Sequence, residues 1–369
     1  MPSIVNLTQS TVTRRGFLRG AVGVSSALLI PPSLVSALAA CGGTSTESGS
    51  KQIVFLTWPG RSLKIFHDAF EVPYTKRTGY AVKDIYPFDY GKFQTAIQSG
   101  NPEGYDVAWF ADDAQPYRAF KAGLIEELDY SLIPRAKQGI EGVRLPYAVS
   151  PYITAYQFWY RSDVYKNRPP QSWADFFDTT NYPGPRSLGS WVGGVFEAAL
   201  MADGVDPQNL YPLDVPRALK VLNRLKPSIR AFHDSYGVDA GQMIHQKDVT
   251  MVLTWSSLFL AQKAAGEPVR QVWQGGFYFS PAMGIVKGTK HREQAYAFLD
   301  QMFDLDGQVQ FAKEYITSPS IPAATAQIPS SLLQEVSLGH IADMVHLNPP
   351  YYADKEATIQ QQYDAWRAK

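Results

Sequence analysis

The 369-residue chain has a single cysteine, Cys41, so no intramolecular disulfide can form and burial has to supply the stability even in an oxidising compartment. An excess of one charge is missing too. The 34 lysines and arginines are balanced by 34 aspartates and glutamates, and without a clustered basic excess the chain lacks the electrostatic footprint of a nucleic-acid binder. Of the six histidines, none stands in an HExxH or CxxC-associated spacing, so no metal site is expected. The P-loop, the GxGxxG fingerprint and the GxSxG elbow are absent as well. No cofactor and no catalytic group are therefore expected, and no repeat occurs at solenoid periods. Finally, no apolar run reaches the roughly 20 residues of a bilayer-spanning helix; the candidate stretch, residues 21–30, stops at Pro31 and Pro32.

That short stretch belongs to TRRGFLRGAVGVSSALLIPPSLVSALAACGG, residues 13–43. Basic residues, then a short apolar region, then small residues make up the pattern of a secretory signal peptide, expected here over residues 1–40. TRRGFLR (13–19) resembles the twin-arginine export motif; two ordinary basic residues of a general secretory signal are the alternative. LAAC (38–41) resembles a bacterial lipobox, where a lipid would be joined to the sulfur of Cys41. Residues 41–50, including TSTESGS, read as a flexible lipidated tether. The expected location is the periplasm or the outer face of the cytoplasmic membrane. Losing Arg14, Arg15 and Arg19 leaves 31 basic against 34 acidic residues, and the remaining length exceeds that at which one core stops growing, so two lobes are expected.

Strands and helices alternate along the mature chain. Strands are expected at 52–57 (QIVFLT), 81–86 and 105–110 (YDVAWF), with helices at 63–77, 90–99 and 114–122. This rhythm argues for an α/β lobe with a largely parallel sheet. A second lobe follows: a strand over 147–160, a capped helix start at Ser172-Trp173-Ala174-Asp175, strands at 186–188 and 250–254, and helices at 193–202, 215–226, 240–246 and 257–265. A strand at 282–287, a helix at 291–303 and a proline-broken helical remainder ending at 354–369 complete the chain. In such sheets ligands sit beyond the carboxyl ends of the strands. That rule selects Trp58-Pro59-Gly60-Arg61 and Ala111-Asp112-Asp113.

YTKRTGYAV (74–82), YDVAWF (105–110), AGLIEELD (122–129), SWADFFD (172–178), YPGPRSL (182–188), VTMVLTWSS (249–257) and YDAWR (363–367), in this order and spacing behind a lipoprotein-type signal, resemble the substrate-binding proteins of bacterial ABC importers, in the spermidine/putrescine-binding branch. The resemblance implies a type II periplasmic-binding-protein fold: two α/β lobes, a hinge of crossing strands and a ligand cleft between the lobes. Lobe 1 would take residues 51–147 and 281–312, lobe 2 residues 148–280 and 313–369, with crossings near Ala148, Pro281 and Lys313. It also implies a monomer that hands a small solute to a membrane permease.

Trp58 and Trp255 each end an expected strand, one per lobe, where two indoles could sandwich a ligand; core packing is the competing role. Tyr278 matches a third aromatic of the family site. The family's acidic residues are replaced: Ser280 follows the aromatic run, and Ser190-Trp191 stands where an acidic pair precedes VF. A serine cannot neutralise a cation. Arg61 stands where the family has an aromatic, and arginine favours a carboxylate by bidentate pairing; Asp112 and Asp113 occupy a loop uncharged in polyamine binders. These departures favour a small zwitterion such as an amino acid, with a true polyamine as the alternative. Gly193-Gly194 could offer helix-start N–H groups to an anion or serve close packing. Tyr351-Tyr352 invites an iron site, but its place near the terminus argues against one. An enzyme using Asp112 and Asp113 as acid and base and a solute-sensing lipoprotein without transport are the readings from other classes.

Overall fold

The computed structural model describes residues 51–100, 104–233 and 238–369; the export signal, Cys41 and the tether lie outside these residues. Among the described residues the strands form two mixed sheets. The chain enters the first with β1 (Gln52–Leu56), β2 (Ala81–Ile85), β3 (Val107–Phe110), β4 (Arg144–Leu145) and β5 (Ala148–Val149). It then builds the second with β6 (Tyr152–Arg161), β7 (Arg186–Gly189), β8 (Ile229–His233), β9 (Met251–Trp255), β10 (Val269–Gln271) and β11 (Phe277–Phe279). β12 (Ala282–Ile285) returns to the first sheet, whereas β13 (Ser318–Pro319) and β14 (Val345–His346) return to the second. The orders are β2-β1-β3-β12-β5-β4 and β14-β11-β6-β9-β7-β8, with β10 and β13 paired along β6.

β1 lies parallel to β2 and β3, and its apolar run from Ile53 to Leu56 is buried throughout, as expected where helices cover both faces of a parallel sheet. On one face Phe55 lies nearly parallel to Trp109 and meets Phe298 edge-on; on the other Leu56, Ala108 and Phe110 pack with Phe88 and Phe93. The helical run after β1 ends where the 63–77 expectation places it, because Gly79 adopts φ 75° and its N–H closes onto the Thr75 carbonyl, a left-handed cap that glycine adopts without a Cβ clash. In the second sheet β6 is the hub, and all ten of its residues are buried.

The expected single strand over 147–160 is broken at Ser150-Pro151, where β5 stays in the first sheet and β6 begins the second. Proline has no N–H to give a ladder, so a sheet change is accommodated there. The reverse passage, between Phe279 and Ala282, also runs through a serine and a proline, Ser280-Pro281. The two passages touch, since the Ser150 hydroxyl lies 2.8 Å from the Pro281 carbonyl oxygen. A third passage follows the helix Leu305–Tyr315 at Ile316, whose φ of 60° is unusual for a β-branched residue. The terminal helix starts at Pro349 instead of 354: the Asn348 side chain accepts the Tyr351 N–H at 2.9 Å, and prolines at the first helical positions have no orphan donor to satisfy.

Candidate functional site

Asp112 and Asp113 connect β3 to the helix Ala114–Lys121, and both are buried. Asp112 Oδ1 accepts the Ala114 and Gln115 N–H groups at 2.9 and 2.8 Å, and Oδ2 accepts from the Gln115 side chain at 3.3 Å. The carboxylate thereby satisfies orphan donors at the helix start, yet none of these partners carries a positive charge. Burial, followed by the negative charge of Glu356, pushes the Asp112 carboxyl up to about 7. Asp113 instead pairs with His346 of β14. Burial opposes the imidazolium, but the hydrogen bond to Asp113 and its charge outweigh that cost and hold the His346 pKa above its usual value. Tyr278 lies flat on the same imidazole, 4.8 Å away and 10° from parallel.

The facing wall comes from the second sheet. Trp191, just after β7, stacks on Trp255 at 6.0 Å and 11°, and also packs against Phe279 at 5.7 Å. Its indole N–H donates to Glu356 Oε1 at 2.9 Å, while Arg118 donates to Glu356 Oε2 at 3.3 Å. The paired glycines that follow explain how the indole fits. A Cβ on Gly193 would come within 2.2 Å of the Trp191 ring, and one on Gly194, which sits at φ 77°, within 2.7 Å of Phe277. The packing role thus accounts for both glycines, and the Gly194 N–H donates to the Tyr352 hydroxyl.

Asp112, Asp113 and Ala114 from one side, and Trp191, Phe279, Leu347, Pro349 and Tyr352 from the other, line a narrow recess of about 10 Å³ that is open to solvent. Among the described charges around it, Asp113 is matched by His346 and Glu356 by Arg118. Asp112 keeps only neutral donors. A narrow, aromatic-walled recess with one carboxylate lacking a counter-charge is suited to a single ammonium group.

Six other sequence-derived candidates stand outside that lining. Trp58 follows β1, donates its indole N–H to the Trp109 carbonyl at 2.9 Å and packs on Phe88 at 5.1 Å. Arg61 opens the helix Arg61–Phe66, is exposed, and donates to the Glu314 carbonyl. The Ser190 N–H donates to the His233 carbonyl and its carbonyl accepts from the Gln360 side-chain amide, and Ser280 is buried at the strand crossing. Trp255 backs Trp191, and Tyr278 backs His346.

Phe279, Leu347, Pro349 and Tyr352 are recess residues that sequence reasoning passed over, together with the supporting Arg118, His346 and Glu356. For Phe279 a signal existed: in β11 the side chains alternate, so Phe279 and Tyr278 cannot both face the recess. Tyr352, near the carboxyl terminus in sequence, lines the recess. Its hydroxyl donates to Glu197 Oε1 at 2.7 Å, and burial with the Glu197 charge drives its pKa well above normal, which disfavours the phenolate an iron site would use.

Residues 69–335 match the family model described as bacterial extracellular solute-binding protein. Among known proteins, the chain is 24% identical to the gamma-aminobutyric acid-binding protein of Pseudomonas aeruginosa PAO1, over 88% of this chain and 93% of that one. It superimposes on an ABC transporter substrate-binding protein from Bradyrhizobium japonicum USDA 110 with a TM-score of 0.79 and 28% identity, covering 85% of this chain and 99% of the other. The Atu4243-GABA receptor gives a TM-score of 0.80 and 26% identity, with 86% and 98% covered. The two sheets form the two lobes of the type II fold that these structures share. With the family model spanning most of its length, this chain belongs to the bacterial extracellular solute-binding proteins, the substrate-binding components of ABC transporters.

Proposed function

We propose that the protein captures a small zwitterionic amine, of the ω-amino acid type, in the recess between its lobes and delivers it to a permease. The observation that carries this reading is Asp112, a buried carboxylate at the recess surface with no cationic partner among the described residues. The ligand's ammonium group would supply that charge while stacking against Trp191. The anionic end would meet Arg118. This residue lies one turn beyond the recess-lining Ala114 on the same helix face, its guanidinium covers Tyr90 at 4.1 Å, and its Nε is buried without a hydrogen-bond partner. Arg118 thus replaces Arg61 as the anion partner in this reading. The similarity to a GABA-binding protein and a GABA receptor agrees with a ligand carrying one charge of each sign.

A polyamine is the second reading, favoured by the three carboxylates Asp112, Asp113 and Glu356 near the recess. Asp113 is already neutralised by His346, and Glu356 would share Arg118 with the ligand's anionic end, so one ammonium group is accommodated better than three. The proposal includes a lipid on Cys41, twin-arginine export, a monomeric state, and the lobe boundaries 51–147 plus 281–312 and 148–280 plus 313–369, with the Ser-Pro passages as the hinge. Binding rather than catalysis is its role. Tryptophan-fluorescence titration with 4-aminobutyrate and with spermidine tests the reading: at least tenfold tighter binding of 4-aminobutyrate supports it, and tighter binding of spermidine refutes it.

A further inference from the structure

Away from the recess, the first lobe carries a second constellation. The helical run after β1 changes register at His67–Glu71, a π-turn segment between the helices Arg61–Phe66 and Val72–Thr78. Segments of this type frequently occur at functional sites. His67 and Glu71 project from neighbouring turns, with His67 Nδ1 2.7 Å from Glu71 Oε2. β2 brings Asp84 to the same place, on the strand face that it shares with Val82. One donor atom from each of the three residues lies within 4.8 Å of the others.

The burial of these groups is what needs explaining. The Glu71 side chain is only 1% exposed, and its Oε1 has no hydrogen-bond partner; Asp84 Oδ1 is likewise buried and unpartnered. Two acidic groups facing each other out of water need something positive between them, either a proton or a cation. Among the side chains nearby, His67 supplies a positive charge only when it is protonated. Asp68 adds another negative group, and Lys64 is spent on Asp68. His67, half exposed, leaves a route to solvent.

We propose that His67, Glu71 and Asp84 form a site for one divalent transition cation of the zinc class, which ties the helical run to β2. One imidazole and two carboxylates make a mixed nitrogen and oxygen set that suits zinc better than magnesium or calcium. The HExxH pattern does not cover this set, because residues 67–71 read HDAFE, with Glu71 where that pattern has a second histidine.

The test uses the full chain with zinc chloride, followed by calorimetry and thermal melting, in wild type, His67→Ala and Glu71→Gln. The wild type is expected to bind one more equivalent of zinc than either variant and to gain several degrees of melting temperature that His67→Ala does not gain. Because His67 is half exposed, its replacement leaves a folded protein even if Glu71→Gln does not fold. Equal zinc stoichiometry in wild type and His67→Ala, or no zinc uptake by the wild type, overturns the proposal. None of the three residues lines the recess, so solute binding by His67→Ala is expected to be unchanged.

Discussion

Replacing Asp112 by asparagine should make the ligand-free protein more stable and the binding weaker. Asparagine keeps the acceptor oxygen that caps the helix Ala114–Lys121 and removes only the charge. In the fold the Asp112 carboxyl titrates at about 7 because of burial and Glu356, whereas an unfolded aspartate titrates near 3.9. A raised pKa means that the fold prefers the protonated acid. The stability contributed by that preference is full below about pH 4 and is lost as the pH rises to about 7. Three units at roughly 1.4 kcal/mol each make the cost on the order of 4 kcal/mol at pH 8. Asparagine escapes that cost, so urea denaturation at pH 8 should show the variant more stable, with the difference shrinking toward zero near pH 4. Loss of one charge-assisted hydrogen bond, worth about 1.5–3 kcal/mol, should weaken amine binding by roughly 10- to 150-fold. A variant that is no more stable at pH 8 and binds as well as wild type refutes the assignment of Asp112 as the unpaired recess charge.

Three further outcomes follow from the same geometry. An ammonium ligand must ionise Asp112, so calorimetry in buffers of different ionisation enthalpy should detect close to one proton released per ligand at pH 6, about half at pH 7 and almost none at pH 8.5; pH-independent proton uptake contradicts this. Trp191→Ala removes the stacked indole and the Glu356 contact, and fluorescence titration should show at least a tenfold loss of affinity, about 1.4 kcal/mol, in line with a cation–π contact. Arg186 is fully buried and its guanidinium donates to the carbonyls of Phe176, Tyr182 and Gly184. Arg186→Ala would leave all three without that donor and should cost about 3 kcal/mol or more in denaturant melts, with an unchanged midpoint as the contrary result.

Local signals made much of the fold legible. Buried β1 and β3 announced themselves as apolar runs, Gly79 and Gly123 marked helix ends, and Ser172 with Asp175 formed the capping box expected of them. β8, β10, β13 and β14 did not, because two to five residues are too few to show a period. Pro151 hid inside an otherwise strand-like stretch and proved to be a passage between sheets. The strand-end rule selected Asp112 and Asp113, consecutive residues that line the recess. What it could not find were their partners. His346 is 233 residues from Asp113, and Glu356, on the terminal helix Pro349–Arg367, is 165 residues from Trp191; long-range pairs like these are set by tertiary packing, which no local pattern encodes. Arg61 drew attention through its position beyond β1, while Arg118, inside an ordinary helix, gave no sequence signal.

The central claim is that a ligand's amine meets Asp112 across a recess walled by Trp191. A crystal structure of the protein soaked with 4-aminobutyrate measures this directly. The ammonium nitrogen is expected within about 3.2 Å of an Asp112 carboxylate oxygen, with the carboxylate end toward Arg118. A ligand bound with its carboxylate toward Asp112, or at Trp58 and Arg61 with the recess bypassed, would contradict it.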